Sequence, residues 1–137
     1  MYLLDTNIVS ELRKPKPHGG VVAWLQGIDD ADLRLSAVTL GEIQAGIELT
    51  RAQDAGKAAQ IEAWLDEVAE TYSVLPMDGR VFRTWARLMH SRSDTLYEDA
   101  MIAATAIAHK LTVVTRNVAD FASFDVPVFN PFTPMPG

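Results

Sequence analysis

The sequence predicts an α/β protein in which helices flank a central parallel sheet. Short apolar or β-branched runs alternate along the chain with longer segments of helical periodicity. The 137 residues fit one domain of ordinary globular composition, 48% hydrophobic and 22% charged. The chain contains no cysteine, which excludes thiol catalysis, disulfides and zinc–thiolate sites. We expect a single domain over residues 1–137, with a Pro-rich tail over 131–137 that forms neither helix nor strand.

The first quarter of the chain contains two strand signals. Residues 2–4 are apolar and end at an acidic residue, which predicts a first buried strand. A short helix is predicted over 7–12, because the two prolines within 14–17 stop it. Apolar residues recur on one face over 21–28 and predict a second helix. Alternation over 33–36 predicts the second strand.

The middle of the chain is predicted to be mainly helical. Thr39 is expected to cap a helix, because Glu42 follows at the capping-box position. The apolar stripe of this helix consists of Leu40, Ile43, Ile47 and Leu49. The Ala-, Gln- and Glu-rich segment over 52–71 predicts a long helix. Residues 73–76 predict a third, short strand.

The last part of the chain repeats the alternation. Asp78 is expected to cap a helix that runs to about residue 91. The Ala-rich segment over 96–109 predicts another helix. Residues 111–115 form the most β-branched run in the chain and predict a central strand. A last short strand is predicted over 126–129.

Four polar residues are expected at one edge of the predicted sheet. Asp5 closes the first strand, and Glu42 is placed in the first turn of the helix after the second strand. Asp99 is placed in the first turn of the helix before the 111–115 strand, and Asn117 follows that strand. Ligands of open parallel sheets bind beyond the carboxyl ends of the strands. The four segments should therefore deliver oxygen atoms to a common place.

Three converging carboxylates predict a divalent metal site. Like charges at low dielectric raise one another's pKa unless a cation neutralises them. Donor sets made only of oxygen favour Mg²⁺ or Mn²⁺. Each acid also has a purely structural interpretation: Asp5 can cap a helix, Glu42 can complete a capping box, and Asp99 can interact with a helix dipole. Their placement at one edge is what indicates function.

The charge balance disfavours nucleic-acid binding by the surface as a whole. The chain has 12 Lys and Arg against 18 Asp and Glu, a net charge of −6. A nucleic-acid function needs a local basic patch, a metal ion or a basic partner. Arg13 and Lys14, with Lys16, form one basic cluster, and Arg116 adjoins the acidic segments. A second row at helical spacing, opposite an apolar face, consists of Arg80, Arg83 and Arg87. Both groups can also be ordinary solvated surface.

The hydropathy pattern predicts no membrane association. No apolar run approaches the roughly 18 residues of a membrane span. The start of the chain has no basic region and reaches an acidic residue at once, unlike a signal peptide. We therefore expect a cytoplasmic protein.

Four segments together resemble the PIN-domain ribonucleases. Residues 3–12 read LLDTNIVSEL, 35–43 read LSAVTLGEI, 99–106 read DAMIAATA and 111–121 read LTVVTRNVADF. The sequence is most similar to the VapC toxins of type II toxin–antitoxin pairs. Within that group it resembles the FitB-like branch, on the basis of VAWL at 22–25 and VFNP at 128–131.

This resemblance implies a three-layer α/β/α sandwich and a Mg²⁺- or Mn²⁺-dependent endoribonuclease toxin. The acidic residues of the family carry over to Asp5, Asp99 and Glu42. Asp5 and Asp99 would be the main metal ligands, while Glu42 would bind the metal or orient the attacking water. Thr6 and Thr115 match hydroxyl positions that support the site.

The resemblance also implies partners and contains one departure. Many relatives have Asp where this chain has Asn117, which keeps an acceptor oxygen but removes a charge. Asp120, one helical turn further on, is a candidate to compensate. The implied partners are an RNA substrate and a DNA-binding, VapB-like antitoxin, with a homodimer and a heteromeric toxin–antitoxin assembly.

Three alternatives can be compared with this interpretation. A haloacid dehalogenase would need a second Asp two residues after Asp5, where Asn7 stands. A phosphate-binding loop is excluded by the absence of a Walker-type or dinucleotide-binding glycine pattern. A catalytically weak PIN module that acts by binding RNA or antitoxin remains open, since Asn117 could mark a degraded site.

Overall fold

The computed structural model describes residues 1–92 and 94–133 of the chain. Within them, the strands are β1 (Tyr2–Leu4), β2 (Leu33–Ser36), β3 (Ser73–Leu75), β4 (Thr112–Val114) and β5 (Val128–Phe129). They form one sheet in the order β3-β2-β1-β4-β5, and every neighbouring pair is parallel. The predicted parallel sheet is therefore confirmed. Its order places β1 in the centre, with Leu3 in register with Arg34 on one side and Val113 on the other.

Among the described residues, six helices match predicted segments to within a few residues at each end, while the short helix Val118–Phe121 was not predicted. The helices are α1 (Thr6–Glu11), α2 (Gly19–Gln26), α3 (Ala37–Arg51), α4 (Ala55–Thr71), α5 (Gly79–Met89), α6 (Tyr97–His109) and α7 (Val118–Phe121). Single 3₁₀ turns lie at Asp30–Asp32, Asp94–Leu96 and Ala122–Phe124. The expected cap of α5 is confirmed, because the Asp78 carboxylate accepts a hydrogen bond from the Val81 N–H at 3.0 Å.

Helices cover both faces of the sheet and produce three layers. Successive residues of a strand point to opposite faces. Leu3 and Val113 accordingly pack in a core cluster with α6 and α7, which includes Ala103 and Phe121. Their chain neighbours Leu4 and Val114 pack in a second cluster, on the other face, with residues of α1, α2 and α4. The α/β class and the sandwich architecture are confirmed.

The start of α3 differs from the prediction. The capping residue is Ser36, whose Oγ accepts the Val38 N–H at 3.1 Å, and α3 begins directly after β2. The prediction that Thr39 caps this helix is wrong, because Thr39 already lies within its first turn and is buried. The apolar stripe is also shorter than predicted: Leu49 is 75% exposed, so the buried face ends at Ile47.

Two remaining predictions concern membrane association and the C-terminal tail. No helix in the described part of the chain is both long and apolar enough to cross a membrane. The tail predicted over 131–137 falls partly outside the described residues, since 134–137 lie beyond them.

Candidate active site

The carboxyl edge of the sheet contains a cavity of about 260 Å³ with a polar lining. The lining residues are Asp5, Thr6, Asn7, Glu42, Asp99 and Asn117. They come from four separate segments: the end of β1, the body of α3, the start of α6 and the loop after β4. The structure thus brings together the three acids and the Asn that the sequence placed at one edge of the predicted sheet.

Asp5 is the most enclosed acid of this cavity, with 5% of its surface exposed. Its Oδ1 accepts the Thr6 N–H at 2.8 Å, so that it also caps α1. Its Oδ2 accepts the Thr115 hydroxyl at 2.8 Å and the Asn7 side-chain amide at 3.1 Å. Burial raises the pKa of Asp5, and these hydrogen bonds offset part of the rise. The structural and functional interpretations of Asp5 are therefore compatible.

Thr115 and Asn7 hold the Asp5 carboxylate between β1 and β4. Thr115 is fully buried, and its Oγ1 also accepts the Asn7 amide at 3.2 Å and the Asn117 N–H at 3.0 Å. The Asn7 Oδ1 in turn accepts the Arg116 N–H at 3.1 Å. Asn7 was not predicted as a site residue. Its position two residues after Asp5 was the available signal, but the bond to Thr115 spans 108 positions of sequence.

Thr6 links the first helix to the third. Its hydroxyl donates a hydrogen bond to the Thr39 hydroxyl at 3.1 Å, and Thr39 is buried. The true role of Thr39 is thus to position α3 against α1, next to the cavity. Thr39 is a second residue that the sequence interpretation did not assign to the site.

Glu42 lies one helical turn later than predicted. Because α3 begins at Ala37, Glu42 is in the second turn and cannot act as a capping-box acid. Burial raises its pKa to about 7, and the negative charges of Glu98, Asp5 and Asp99 add to the rise, while the Thr6 hydroxyl lowers it in part. The capping interpretation of Glu42 is wrong, which leaves its position in the cavity as its main structural feature.

Asp99 lies in the first turn of α6, as predicted. Burial raises its pKa to about 6, and the charges of Asp5, Asp120 and Glu98 add to the effect. Asp120, exposed on α7, is therefore close enough to add negative charge to the site. Glu98 does the same from α6, although the sequence interpretation passed over it.

Asn117 stands at the position where the family resemblance led us to expect a fourth acid. It lies at the N-terminus of α7, where its side chain makes no capping hydrogen bond, and it lines the cavity. Its amide group is thus available to a ligand in the cavity.

The donor set fits a hard divalent cation that retains part of its water shell. The lining residues offer carboxylate, hydroxyl and amide oxygen atoms as donors. The raised pKa values of Glu42 and Asp99 reflect burial first and the neighbouring negative charges second. Within residues 1–92 and 94–133, no three Asp, Glu or His side chains already stand close enough to enclose an ion. The cavity is accordingly an open carboxylate site whose coordination would need water or side-chain movement.

The three basic residues predicted to contact RNA have different surroundings. The Lys14 ammonium pairs with Glu11 at 2.8 Å. The Arg116 guanidinium lies over the Phe132 ring, 4.9 Å from its centroid. Arg13 lines a second cavity of about 330 Å³ that shares Thr6 and Glu42 with the acidic cavity. Of the three, Arg13 is thus the one that lines a cavity adjoining the acids.

Comparison with known proteins identifies the family. The model of the PIN domain matches residues 2–126, which include all the acids and Asn117 of the cavity. The chain belongs to the PIN domain family. This PIN domain is 36% identical to Toxin FitB of Neisseria gonorrhoeae, over 96% of this chain and 99% of that protein. It is also 36% identical to VapC ribonuclease Y4jK of Sinorhizobium fredii, over 98% and 99% of the two chains.

A solved structure supports the same relationship. The PIN domain superimposes on a chain in the structure of FitAB bound to an IR36 DNA fragment with a TM-score of 0.85. The two chains are 34% identical, and the match covers 98% of each. The similarity therefore extends over nearly the whole chain rather than over the acidic motifs alone.

Proposed function

We propose that this PIN domain is the endoribonuclease toxin of a type II toxin–antitoxin pair. The observation that carries the proposal is the acidic cavity itself, which gathers Asp5, Glu42 and Asp99 from distant segments. Near-full-length relatives named as a toxin and as a VapC ribonuclease support the same activity. On this proposal the reaction is hydrolysis of an RNA phosphodiester bond, and residues 1–137 act as one domain.

Asp5 and Asp99 would hold Mg²⁺ or Mn²⁺, and Glu42 would bind the same ion or orient the attacking water. A bound divalent cation would lower the pKa of a coordinated water and stabilise charge on the phosphoryl oxygens. The fit rests on the all-oxygen donors and on the raised pKa values of Glu42 and Asp99. Asn117 would contribute a neutral oxygen, and Asp120 would add charge nearby.

Residues in and around the cavity hold these carboxylates in position through hydrogen bonds and helix contacts. The hydrogen bonds from Thr115 and Asn7 fix the Asp5 carboxylate and favour its ionised form. The Thr6–Thr39 bond fixes α1 against α3, the helix that carries Glu42. Glu42 lines the cavity together with Asp5 and Asp99, which places its carboxylate to bind the ion or to accept a proton from water.

The proposed partners follow from the charge of the cavity and from the family. A VapB-like, DNA-binding antitoxin would cover the acids with a cationic side chain, since opposite charges are complementary at interfaces. The FitAB structure on DNA supports an assembly of this kind. A homodimer, a cytoplasmic location and the use of Arg13, Lys14 and Arg116 in RNA binding belong to the same proposal.

Cleavage of RNA by the purified chain tests the proposal. The wild type should cut single-stranded RNA with Mg²⁺ and lose this activity with a chelator. Asp5→Asn and Asp99→Asn should each reduce cleavage at least 100-fold, as expected when a charge that stabilises the transition state is removed (about 3 kcal/mol). Asp66→Asn, an exposed acid on α4, is the matched control and should leave cleavage unchanged.

Two results would contradict the proposal. Absence of cleavage by the wild type would refute the enzymatic activity, and full activity of Asp99→Asn would refute the assigned site. The growth of cells that express the protein distinguishes the nuclease from the alternative, a catalytically weak binding module. Equal growth arrest by the wild type and Asp99→Ala would favour the binding module, whereas relief by Asp99→Ala would favour the nuclease.

A further inference from the structure

A second cavity, called here the side cavity, adjoins the acidic cavity. It has a volume of about 330 Å³ and shares Thr6 and Glu42 with the acidic cavity. Glu42 is the sole acid among the described residues that line it. Its lining, which comes from α1, α3, α4 and the turn after α1, includes Ser10, Arg13, Gly46, Thr50, Ile61 and Trp64. The acidic part of the candidate active site thus passes into a cavity of different chemistry.

The face of α3 that carries Glu42 continues along the side cavity. Glu42, Gly46 and Thr50 follow one another at intervals of four residues and therefore share one helix face. Gly46 lies about 6 Å beyond Glu42 at the rise of an α-helix. A single nucleotide of an extended strand can span such a step. An RNA whose scissile phosphate lies at the acids therefore brings a neighbouring nucleotide to the side cavity.

The side cavity combines apolar surface, hydroxyl groups and a cation. The half-buried Trp64 and Ile61 of α4 supply the apolar surface. The Thr50 hydroxyl donates a hydrogen bond within α3 at 3.1 Å and keeps lone pairs to accept another, and Ser10 supplies a second hydroxyl. Arg13 is exposed and forms no salt bridge in the described part of the chain. Bases of single-stranded RNA are bound by rings that contact their faces and polar groups that bond their edges.

Gly46 leaves a space in the side cavity that the fold itself does not need. A Cβ at position 46 would meet no atom within 4 Å. Gly46 lies inside α3, and no glycine of the described chain has a positive φ, so its backbone does not require glycine. Glycine in a helix interior is less favourable than alanine. The open space allows a bound group to approach the helix backbone closely.

A third cavity also adjoins the acids but suits a nucleotide less well. It shares Asp99 with the acidic cavity and is lined by Glu98 and Tyr97 as well. No Lys or Arg stands among the described residues that line it. Its two carboxylates repel the phosphates of a flanking nucleotide, whereas Arg13 of the side cavity attracts them. The side cavity is thus the better place for the neighbouring base.

We propose that the side cavity binds the base of a nucleotide next to the scissile phosphate, so that its lining determines where the chain cuts RNA. The inference rests on the proposed ribonuclease function and adds a specificity pocket to it. Trp64 contacts the face of the base, and the hydroxyls of Ser10 and Thr50 bond its edge. Arg13 contacts the phosphate on the far side of that nucleotide.

Removal of a base from the substrate, combined with filling of the cavity, tests the proposal. The cleavage site of the wild type is mapped by sequencing the fragment ends, and short RNAs are made with an abasic ribose on either side of it. One of the two abasic RNAs should lower kcat/KM of the wild type about 30-fold, the effect typical of one stacked base. Gly46→Leu fills the cavity and should lose about as much on intact RNA, with little further loss on that abasic RNA.

Gly41→Leu is the matched control for Gly46→Leu. Gly41 lies on the same helix, is exposed, lines neither cavity, and a Cβ there also meets no atom within 4 Å. Gly41→Leu should cleave both RNAs as the wild type does. Both variants should unfold at or above the wild-type temperature, since leucine is the better helix former, which separates lost cleavage from misfolding.

Base preference provides a second measurement. The wild type should cleave RNAs that carry the four bases at the sensitive position with different kcat/KM values. Gly46→Leu should remove these differences, because the base no longer enters the cavity. Differences that persist in Gly46→Leu would overturn the proposal.

Other outcomes would also overturn it. These are wild-type cleavage of intact RNA by Gly46→Leu, equal losses in Gly46→Leu and Gly41→Leu, and no effect of either abasic ribose on the wild type. Wild-type cleavage by Gly46→Leu together with lost inhibition by the proposed VapB-like antitoxin would assign the cavity to a protein segment instead. In each case cleavage by the wild type leaves the proposed function standing, whereas a wild type that does not cleave RNA refutes both.

Discussion

Replacement of Glu42 by Gln should stabilise the metal-free protein at alkaline pH. Burial and the charges of Glu98, Asp5 and Asp99 raise the pKa of Glu42 from 4.5 to about 7. The folded state therefore holds this proton to higher pH than the unfolded state does. The stability that protonated Glu42 contributes is fully present below about pH 4.5 and is lost as pH rises through about 7. Glu42→Gln has no proton to lose and should keep this stability.

The expected difference follows from the size of the pKa shift. One pKa unit corresponds to about 1.4 kcal/mol, so the full shift corresponds to about 3 kcal/mol. Because Glu42 is only partly buried, solvent screening reduces the expected gain to about 1–2 kcal/mol. We expect Glu42→Gln to raise the free energy of unfolding by that amount at pH 8 and to leave it nearly unchanged at pH 4.

Urea denaturation in EDTA, followed by tryptophan fluorescence at the two pH values, measures this difference. Glu62→Gln is a control for which we expect the opposite change in the free energy of unfolding. Glu62 accepts hydrogen bonds from Gln44 at 2.8 Å and Arg51 at 2.9 Å, which lower its pKa. Its replacement should destabilise the protein at pH 8. The reasoning would be refuted if Glu42→Gln were less stable than the wild type at pH 8. It would also be refuted if the substitution changed the free energy of unfolding by the same amount at pH 4 and pH 8.

Three further predictions concern the same cavity. Thr115→Val should lower the free energy of unfolding by about 2 kcal/mol in urea denaturation, because Asp5 loses a buried hydrogen bond; an unchanged value would contradict the role of this bond. Asn117→Asp should bind Mn²⁺ about tenfold more tightly by calorimetry, because it adds a charge beside Asp99, and weaker binding would count against the site. Mn²⁺ should bind more tightly as pH rises through about 6 and 7, where Asp99 and Glu42 lose their protons in the metal-free cavity, and an affinity that does not change with pH would argue against both acids.

The positions of Asp5, Asp99 and Asn117 at one edge of the sheet could be predicted because the topology of parallel sheets is restrictive. Once 2–4 and 111–115 are assigned as parallel strands, Asp5 and Asn117 must lie at the same edge. The start of a helix before the second of these strands brings Asp99 to that edge as well. Hydrophobic periodicity and the parallel topology thus sufficed for the fold class and for Asp5, Asp99 and Asn117 of the cavity lining.

The start of α3 could not be predicted in the same way, because two residues compete for the cap. Ser36 and Thr39 are both good capping residues, and Glu42 completes a capping box only with Thr39. The sequence does not reveal that β2 passes into α3 without a loop, which selects Ser36. The error moved Glu42 by one turn but left it on the face that reaches the cavity.

The supporting hydrogen bonds were beyond sequence reasoning for a different reason. The bond from Asn7 to Thr115 joins residues 108 positions apart, and the contribution of Glu98 to the pKa of Glu42 depends on how α6 packs near α3. Side-chain partners of this kind depend on tertiary packing, which residue spacing does not encode.

The central claim is that Asp5 and Asp99 share one divalent ion in the acidic cavity. Anomalous diffraction from crystals grown with Mn²⁺ at pH 8 tests it most directly, because the ion is located without reference to activity. We predict one ion within about 2.5 Å of carboxylate oxygens of both Asp5 and Asp99, and none in the same cavity of Asp5→Asn. Anomalous density confined to other acids, or an empty cavity in the wild type at saturating Mn²⁺, would contradict the claim.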